Sequence, residues 1–361
     1  MKPSKANLIA EQRLLNQGIT RPKTRKPEEV VAWLGAVQAQ EYPFAKWALG
    51  LRMPAGTTDT QIERAIDEGQ ILRTHVMRPT WHFVTPADVY WMLDLTASHV
   101  HRTLATYNRR QGLTEDVTTR STKVFERALK DGQCPTRVEL GAQLERAGIM
   151  AKGVRLALLT IYAELEGVIC SGPRRAGQLT YALLADRAPR PRRLSRDEAL
   201  AELTLRYFRS HGPATIRDFV WWSGLLTADA KRGLEINRAR HELVDGRTYW
   251  TIGPPPGAKR TGSVHLLPIY DEYIVAYRDR AAVPLATTRI ASPSGGPVTF
   301  QHALVIDGTV AGTWRTAKNK EGVAIDVVPL RRLNRAERRG ITETAGRYER
   351  YLGAPVTMCI S

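Results

Sequence analysis

Residues 71–85 read ILRTHVMRPTWHFVT. Apolar and polar side chains alternate on both sides of Arg78-Pro79, which predicts two strands joined by a turn. The chain before this stretch is helical in pattern. Asn7 to Gln17 reads as one helix closed by Gly18. Pro27 opens a second, PEEVVAWLGAVQAQ (27–40), with Glu28 and Glu29 at the positive end of its dipole. Val30, Val31, Leu34 and Val37 form its apolar stripe. A third short helix runs through FAKWALGLR (44–52), and a fourth runs from Asp59 to about Glu68, ending at Gly69. Helices followed by a β-hairpin form the pattern of a winged helix.

The plan recurs twice. CPTRVELGAQLERAG (134–148) carries Thr136 and Glu139 at capping-box spacing; a longer helix, VRLALLTIYAELEG, and the hairpin GVICSGPRRAGQLTYALL follow. HGPATIRDFVWWSG (211–224) carries Thr215 and Asp218 at the same spacing, followed by TADAKRGLEINRAR and by two short strands around Asp245-Gly246. APRPRRLSRDE (188–198) reads as a linker between the copies. Beyond Pro254 the texture becomes strand-rich: HLLPIYDEYIVAYRDR starts as a strand, HALVIDGTVAGTWRT is a hairpin around Asp307-Gly308, and a last helix has Asn334 as cap and Glu337 three residues on. The predicted fold is α+β, mostly α: three tandem winged-helix units over residues 1–115, 116–194 and 195–361, the last with a β-rich extension and a C-terminal helix.

The chain has 361 residues, 53 Lys and Arg against 36 Asp and Glu, and a net charge of +17 at pH 7. Such a balance points to a polyanionic partner, nucleic acid first. Lys46, Arg52, Arg73 and Arg78 cluster around the first hairpin, Arg174 and Arg175 at the second, and Arg187, Arg190, Arg192 and Arg193 in the linker. Only Cys134, Cys170 and Cys359 are present, far apart, which excludes a disulfide scaffold. No Cys-x-x-Cys or His-x-x-x-His spacing supports a zinc site, so no metal or cofactor is expected. MKPSKANLIAEQ has no apolar run after its lysines, and no stretch approaches the length of a membrane span. A soluble cytoplasmic protein is the expectation, and the tandem units make a monomer sensible.

Gln38 and Gln40 stand near the end of the second predicted helix. Residues two apart do not share a helix face, so they converge only if the helix ends or unwinds there; Pro43 makes an end nearby reasonable. By themselves they read as surface or capping residues. In RTHVMRPTWHFV, Arg73, His75, Arg78 and His82 either line a channel or serve local hydrogen bonds beside a core of Trp81 and Phe83. Asp271 and Glu272 sit next to each other on a predicted strand, point to opposite faces, and read as partners for Arg278 or Arg280 rather than as an acid–base pair. At least one of Trp221 and Trp222 is expected in the core.

LGAVQAQEYPFAKWALGLR, RTHVMRPTWHFVTPADVYWML, EGVICSGP and LLPIYDEYIVAYRDR, taken together and in this order, resemble the AlkZ-like, and more distantly the YcaQ-like, winged-helix DNA glycosylases. The match runs from about Leu14 to about Arg332. The resemblance implies a C-shaped set of winged helices around a basic channel. The family motif is Gln, an apolar residue, then Gln or Asp; here it is Gln38-Ala39-Gln40. It implies that Gln38 and Gln40 hold the hydrolytic water, and that the substrate is double-stranded DNA carrying bulky or crosslinked guanine alkylated at N7. It also implies a hairpin that probes the minor groove, placed here at Thr287–Phe300.

Two neutral amides suit that chemistry. A carboxamide accepts from a water through its oxygen and donates through its nitrogen, but it is no useful base. Guanine alkylated at N7 already carries positive charge and departs as a neutral base, so a placed water suffices. No lysine lies within the Gln pair to form a Schiff base. The expectation is a monofunctional glycosylase that leaves an abasic site, in repair or in self-resistance to a genotoxin. The alternative is a non-catalytic DNA-binding or regulatory protein of the same fold.

Overall fold

A computed structural model describes residues 5–190, 192–253, 262–279, 282–283 and 301–361. Thr287–Phe300 and Arg280 lie outside the described residues.

The first region contains α1 (Lys5–Asn16), α2 (Pro27–Leu34), β1 (Val37–Gln38), α3 (Tyr42–Leu51), α4 (Asp59–Asp67), β2 (Leu72–His75) and β3 (Trp81–Val84). The expected hairpin is present, with Leu72 opposite Val84 and His75 opposite Trp81. The second helix differs from expectation. It ends at Leu34, because Gly35 takes φ 87°, a conformation that glycine alone adopts freely. The freed chain becomes β1 and pairs with β3, Val37 opposite Phe83 and Gln38 opposite His82, giving a sheet of order β1-β3-β2.

Next come α5 (Val89–Arg110), α6 (Glu115–Leu129), α7 (Arg137–Arg146), α8 (Gly153–Leu165), the hairpin β4 (Ile169–Ser171) and β5 (Tyr181–Leu183), and α9 (Leu184–Arg187). Thr136 caps α7 as its spacing predicts: its hydroxyl accepts from Glu139 N at 3.3 Å, and its own N–H donates to Glu139 at 2.7 Å. The third helix-and-hairpin set is α10 (Arg196–Ser210), α11 (Ile216–Ser223), α12 (Thr227–Ile236), β6 (Arg240–Val244) and β7 (Arg247–Thr251). Thr215 caps α11, accepting from Asp218 N at 3.2 Å. Asp245 and Gly246 both have positive φ, the geometry a two-residue hairpin turn needs. The expected linker is shorter than its composition suggests: α10 starts at Arg196 with Ser195 as cap, and the Arg187 guanidinium donates to the carbonyls of Ile66 and Asp67 at the end of α4.

The last region comprises β8 (Val264–Leu267), α13 (Glu272–Val275), β9 (His302–Ile306), β10 (Thr309–Asn319), β11 (Gly322–Pro329), α14 (Arg335–Leu352) and β12 (Val356–Ile360). Its strands form one sheet in the order β12-β11-β10-β9-β8, with β12 parallel to β11. Asn334 caps α14, accepting from Glu337 N at 2.9 Å.

The cores do not follow chain order. One joins Leu14, Leu34, Val37, Ala39, Trp47 and Phe83 to Leu266, Tyr273, Leu304, Trp314 and Tyr351, so the first region closes on the last. A second gathers Trp91, Leu203, Tyr207 and Trp222 under α5, α10 and α11. A third lies between α6, α7 and α8 around Phe125, Leu140 and Leu159. Trp222 is fully buried, whereas Trp221 is 40 % exposed. Among the described residues, no helix is long and apolar enough to cross a membrane.

Candidate active site

The strand that replaces the end of the second helix answers how two glutamines two positions apart can act together. On extended chain, residues i and i+2 point the same way. Val37 and Ala39 both enter the core shared with the last region, which leaves Gln38 and Gln40 on the opposite side. Gln40 is half-buried and Gln38 is 9 % exposed. The Gln38 side-chain oxygen is buried and takes no hydrogen bond from any described group. A buried acceptor of this kind is costly unless something donates to it.

Three backbone groups of this segment are held. Gln38 N–H donates to Glu272 Oε1 at 2.8 Å. Ala39 N–H donates to the Trp81 carbonyl at 2.7 Å. The Ala39 carbonyl accepts from Arg73 Nε at 2.9 Å. The anchors come from α13, β3 and β2, so the segment is fixed by elements distant in sequence.

Glu272 is the anchor that sequence reasoning missed. It is the first residue of α13, not part of a strand as expected, and it is fully buried. Its Oε2 accepts from Trp222 Nε1 at 2.9 Å, and His211 Nε2 lies 3.5 Å away. Burial alone pushes the carboxyl pKa up, but His211, Arg78 and the Gln38 N–H together hold it down at about 2. It is therefore an anion at neutral pH. Asp271 does form a salt bridge, as expected of this pair, but with Arg52: both terminal guanidinium nitrogens, Nη1 and Nη2, donate to it at 2.8 Å. A signal was available. A carboxylate pair inside the apolar run LLPIYDEYIVAY has to be buried, and a buried carboxylate requires donors.

The other expected site residues divide by burial. Arg52 is 1 % exposed and spent on Asp271, Gln17 and the Ala48 carbonyl, so it supports the interior and presents nothing to a duplex. Lys46 is 3 % exposed and pairs with Asp59 at 2.8 Å and with Glu63. Arg73 is buried against the Trp81 ring, its Cζ 4.2 Å from the ring centroid, at the edge of a cavity of about 210 Å³ that Glu164 and Tyr181 also line. His75 is 1 % exposed and its Nδ1 meets the Glu164 carboxylate, while Trp81 Nε1 donates to the other Glu164 oxygen at 3.3 Å. His82 is fully buried, and burial together with the Arg78 charge lowers its pKa to about 3, so it is neutral. His75 is thus held by a local carboxylate, whereas the Nδ1 of His82 is buried with no hydrogen-bond partner among the described residues. Arg78 is half-buried with Nη2 3.4 Å from His82 Nε2. Arg174 is half-buried on Glu63 at 2.8 Å, and Arg175 is exposed on Glu139.

The AlkZ-like DNA glycosylase family model matches residues 31–351. The interstrand DNA cross-link repair glycosylase of Streptomyces sahachiroi is 27% identical over 316 residues, covering 81% of this chain and 83% of that protein. The solved structure of the Streptomyces sahachiroi DNA glycosylase AlkZ superposes with a TM-score of 0.75 at 22% identity, covering 99% of this chain and 100% of the other, so the two share a fold. The match takes in the glutamine strand and each of its three backbone anchors: the chain belongs to the AlkZ-like DNA glycosylase family.

Proposed function

We propose that this chain is a monofunctional DNA glycosylase that hydrolyses the N-glycosidic bond of bulky or crosslinked N7-alkylguanine, leaving an abasic site, and that interstrand crosslinks are among its substrates. The observation that carries the reading is the anchored strand with Gln38 and Gln40 on one side and a Gln38 oxygen that no described group donates to. That oxygen accepts a hydrogen bond from the attacking water, and Gln40, the more accessible of the two, holds the same water. The C1′–N9 electron pair leaves with the cationic purine, which becomes neutral. The water oxygen bonds to C1′ and its proton passes to solvent. Nothing in the step requires a base.

The three helix-and-hairpin sets act as winged helices, divided at about residues 115 and 194 and arranged as a C around the duplex. Of the basic residues named from the sequence, Arg78, Arg174 and Arg175 face phosphates, exchanging their present partners for DNA. Lys46, Arg52, Arg73, His75 and His82 hold the surface that bears them. The chain acts as a monomer.

Incubation with a labelled duplex carrying 7-methylguanine, and with one crosslinked by a nitrogen mustard, tests this. Release of the methylated base and unhooking of the crosslink are expected. Duplex binding without release of either base would leave a DNA-binding protein and no enzyme.

A further inference from the structure

A cavity of about 850 Å³ opens between α1, the chain after it, α10 and the β6–β7 hairpin, and none of its lining residues belongs to the site around Gln38. Trp33 stands in its wall, fixed by donation from Nε1 to the Asn16 carbonyl at 2.7 Å. Two cations share that ring. Lys23 Nζ lies 4.2 Å from its centroid and Arg209 Cζ 4.5 Å. Arg21 and Arg240 line the same cavity.

Cations this close usually have a carboxylate between them. Among the described residues neither Lys23 nor Arg209 has one within ion-pair distance, and Arg209 Nε is buried without a hydrogen-bond partner. Partial burial and the neighbouring Arg209 charge lower the Lys23 pKa, and burial with the Arg206 charge lowers that of Arg209 despite the opposing Glu202 charge. The ring attraction holds both side chains in place, so their flexibility is already lost before any ligand arrives. Four cations, Arg21, Lys23, Arg209 and Arg240, line the cavity against one carboxylate, Glu242, and a preorganised cationic excess of this kind is completed by an anion.

We infer that this cavity binds a phosphate group through Lys23 and Arg209 on either flank of the Trp33 ring, carried by a nucleotide or by a DNA backbone outside the glycosylase site. The volume accommodates more than the phosphate alone, and Leu8, Ile9 and Phe208 give the remainder an apolar wall. The inference stands apart from the base-release reading.

Isothermal titration with inorganic phosphate and with deoxyguanosine monophosphate, and the salt dependence of binding to a short undamaged duplex, are compared for wild type, Lys23→Gln and Arg209→Gln. If the phosphate is that of a free nucleotide, wild type binds deoxyguanosine monophosphate and each variant weakens it about tenfold. If it belongs to the DNA backbone, each variant lowers the salt slope of duplex binding by about one. Either result supports the site. Free ligands that fail to bind, or bind wild type and variants alike, together with an unchanged duplex slope, overturn it. Lys23 is exposed, so Lys23→Gln keeps the test valid should Arg209→Gln unfold.

Discussion

Glu272 accepts a hydrogen bond from the Gln38 backbone N–H at 2.8 Å, joining positions 234 residues apart in the chain. The buried anion thereby fixes the residue whose side chain is assigned to the water. Replacing it with Gln keeps an oxygen in reach of Gln38 N but removes the charge facing His211. Loss of one partner from a buried charged cluster costs about 3–5 kcal/mol. Glu272→Gln is expected to lower the urea midpoint accordingly and to reduce single-turnover base release while duplex affinity stays at the wild-type level. Wild-type stability and rate in this variant would remove Glu272 from the site.

Gln38→Ala and Gln40→Ala are each expected to slow release of 7-methylguanine by roughly a hundredfold, the scale on which misplacing a reactant is felt. Duplex binding by gel shift should not change. A variant that releases base at the wild-type rate excludes that glutamine from holding the water.

Much of the fold was legible because it is local. The caps at Thr136, Thr215 and Asn334, the turns at Asp245-Gly246 and Asp307-Gly308 and the hairpin across Arg78-Pro79 each depend on neighbours in sequence. The end of the second helix was missed because its apolar stripe runs on through Val37. Gly35 breaks the helix, and Val37 then serves a strand instead. The glutamine pair was legible only as a motif. What fixes its backbone, the hold of Glu272 and Arg73, arises from tertiary contacts that no spacing encodes. Likewise Arg52 and Lys46 read as phosphate contacts because composition cannot reveal that Asp271, Asp59 and Glu63 meet them inside.

Arg52 and Asp271 form a two-pronged pair at 1 % and 0 % side-chain exposure. Removing either partner strands the other in the interior. Arg52→Met and Asp271→Asn are each expected to cost about 3–5 kcal/mol, and the double variant less than the sum of the two. Strictly additive losses in a denaturation cycle would show that the pair is not coupled.

Acid should weaken the fold well before its carboxylates titrate. Burial lowers the pKa of His82 and His265 to about 3 and that of His302 to about 4, so all three stay neutral in the native state while the unfolded chain protonates them near their ordinary value. The unfolded state then binds more protons below about pH 6.5, and stability rises with pH across that range. Each histidine contributes up to about 1.4 kcal/mol per pH unit once the pH lies well below its unfolded pKa. Urea midpoints should fall between pH 7 and pH 5, and His82→Gln should flatten the decline. A midpoint that rises on acidification contradicts the assignment.

The core that unites Leu14 and Trp47 with Leu304 and Tyr351 has a consequence for synthesis. On the ribosome, α1 to α4 emerge long before the strands that cover them, so the apolar faces they turn to those strands stay bare until residues 264–351 have been made. The glutamine strand, whose anchor at position 272 arrives equally late, cannot be assembled by the nascent N-terminal portion alone. A message truncated before Val264 would therefore yield a chaperone client rather than a smaller glycosylase.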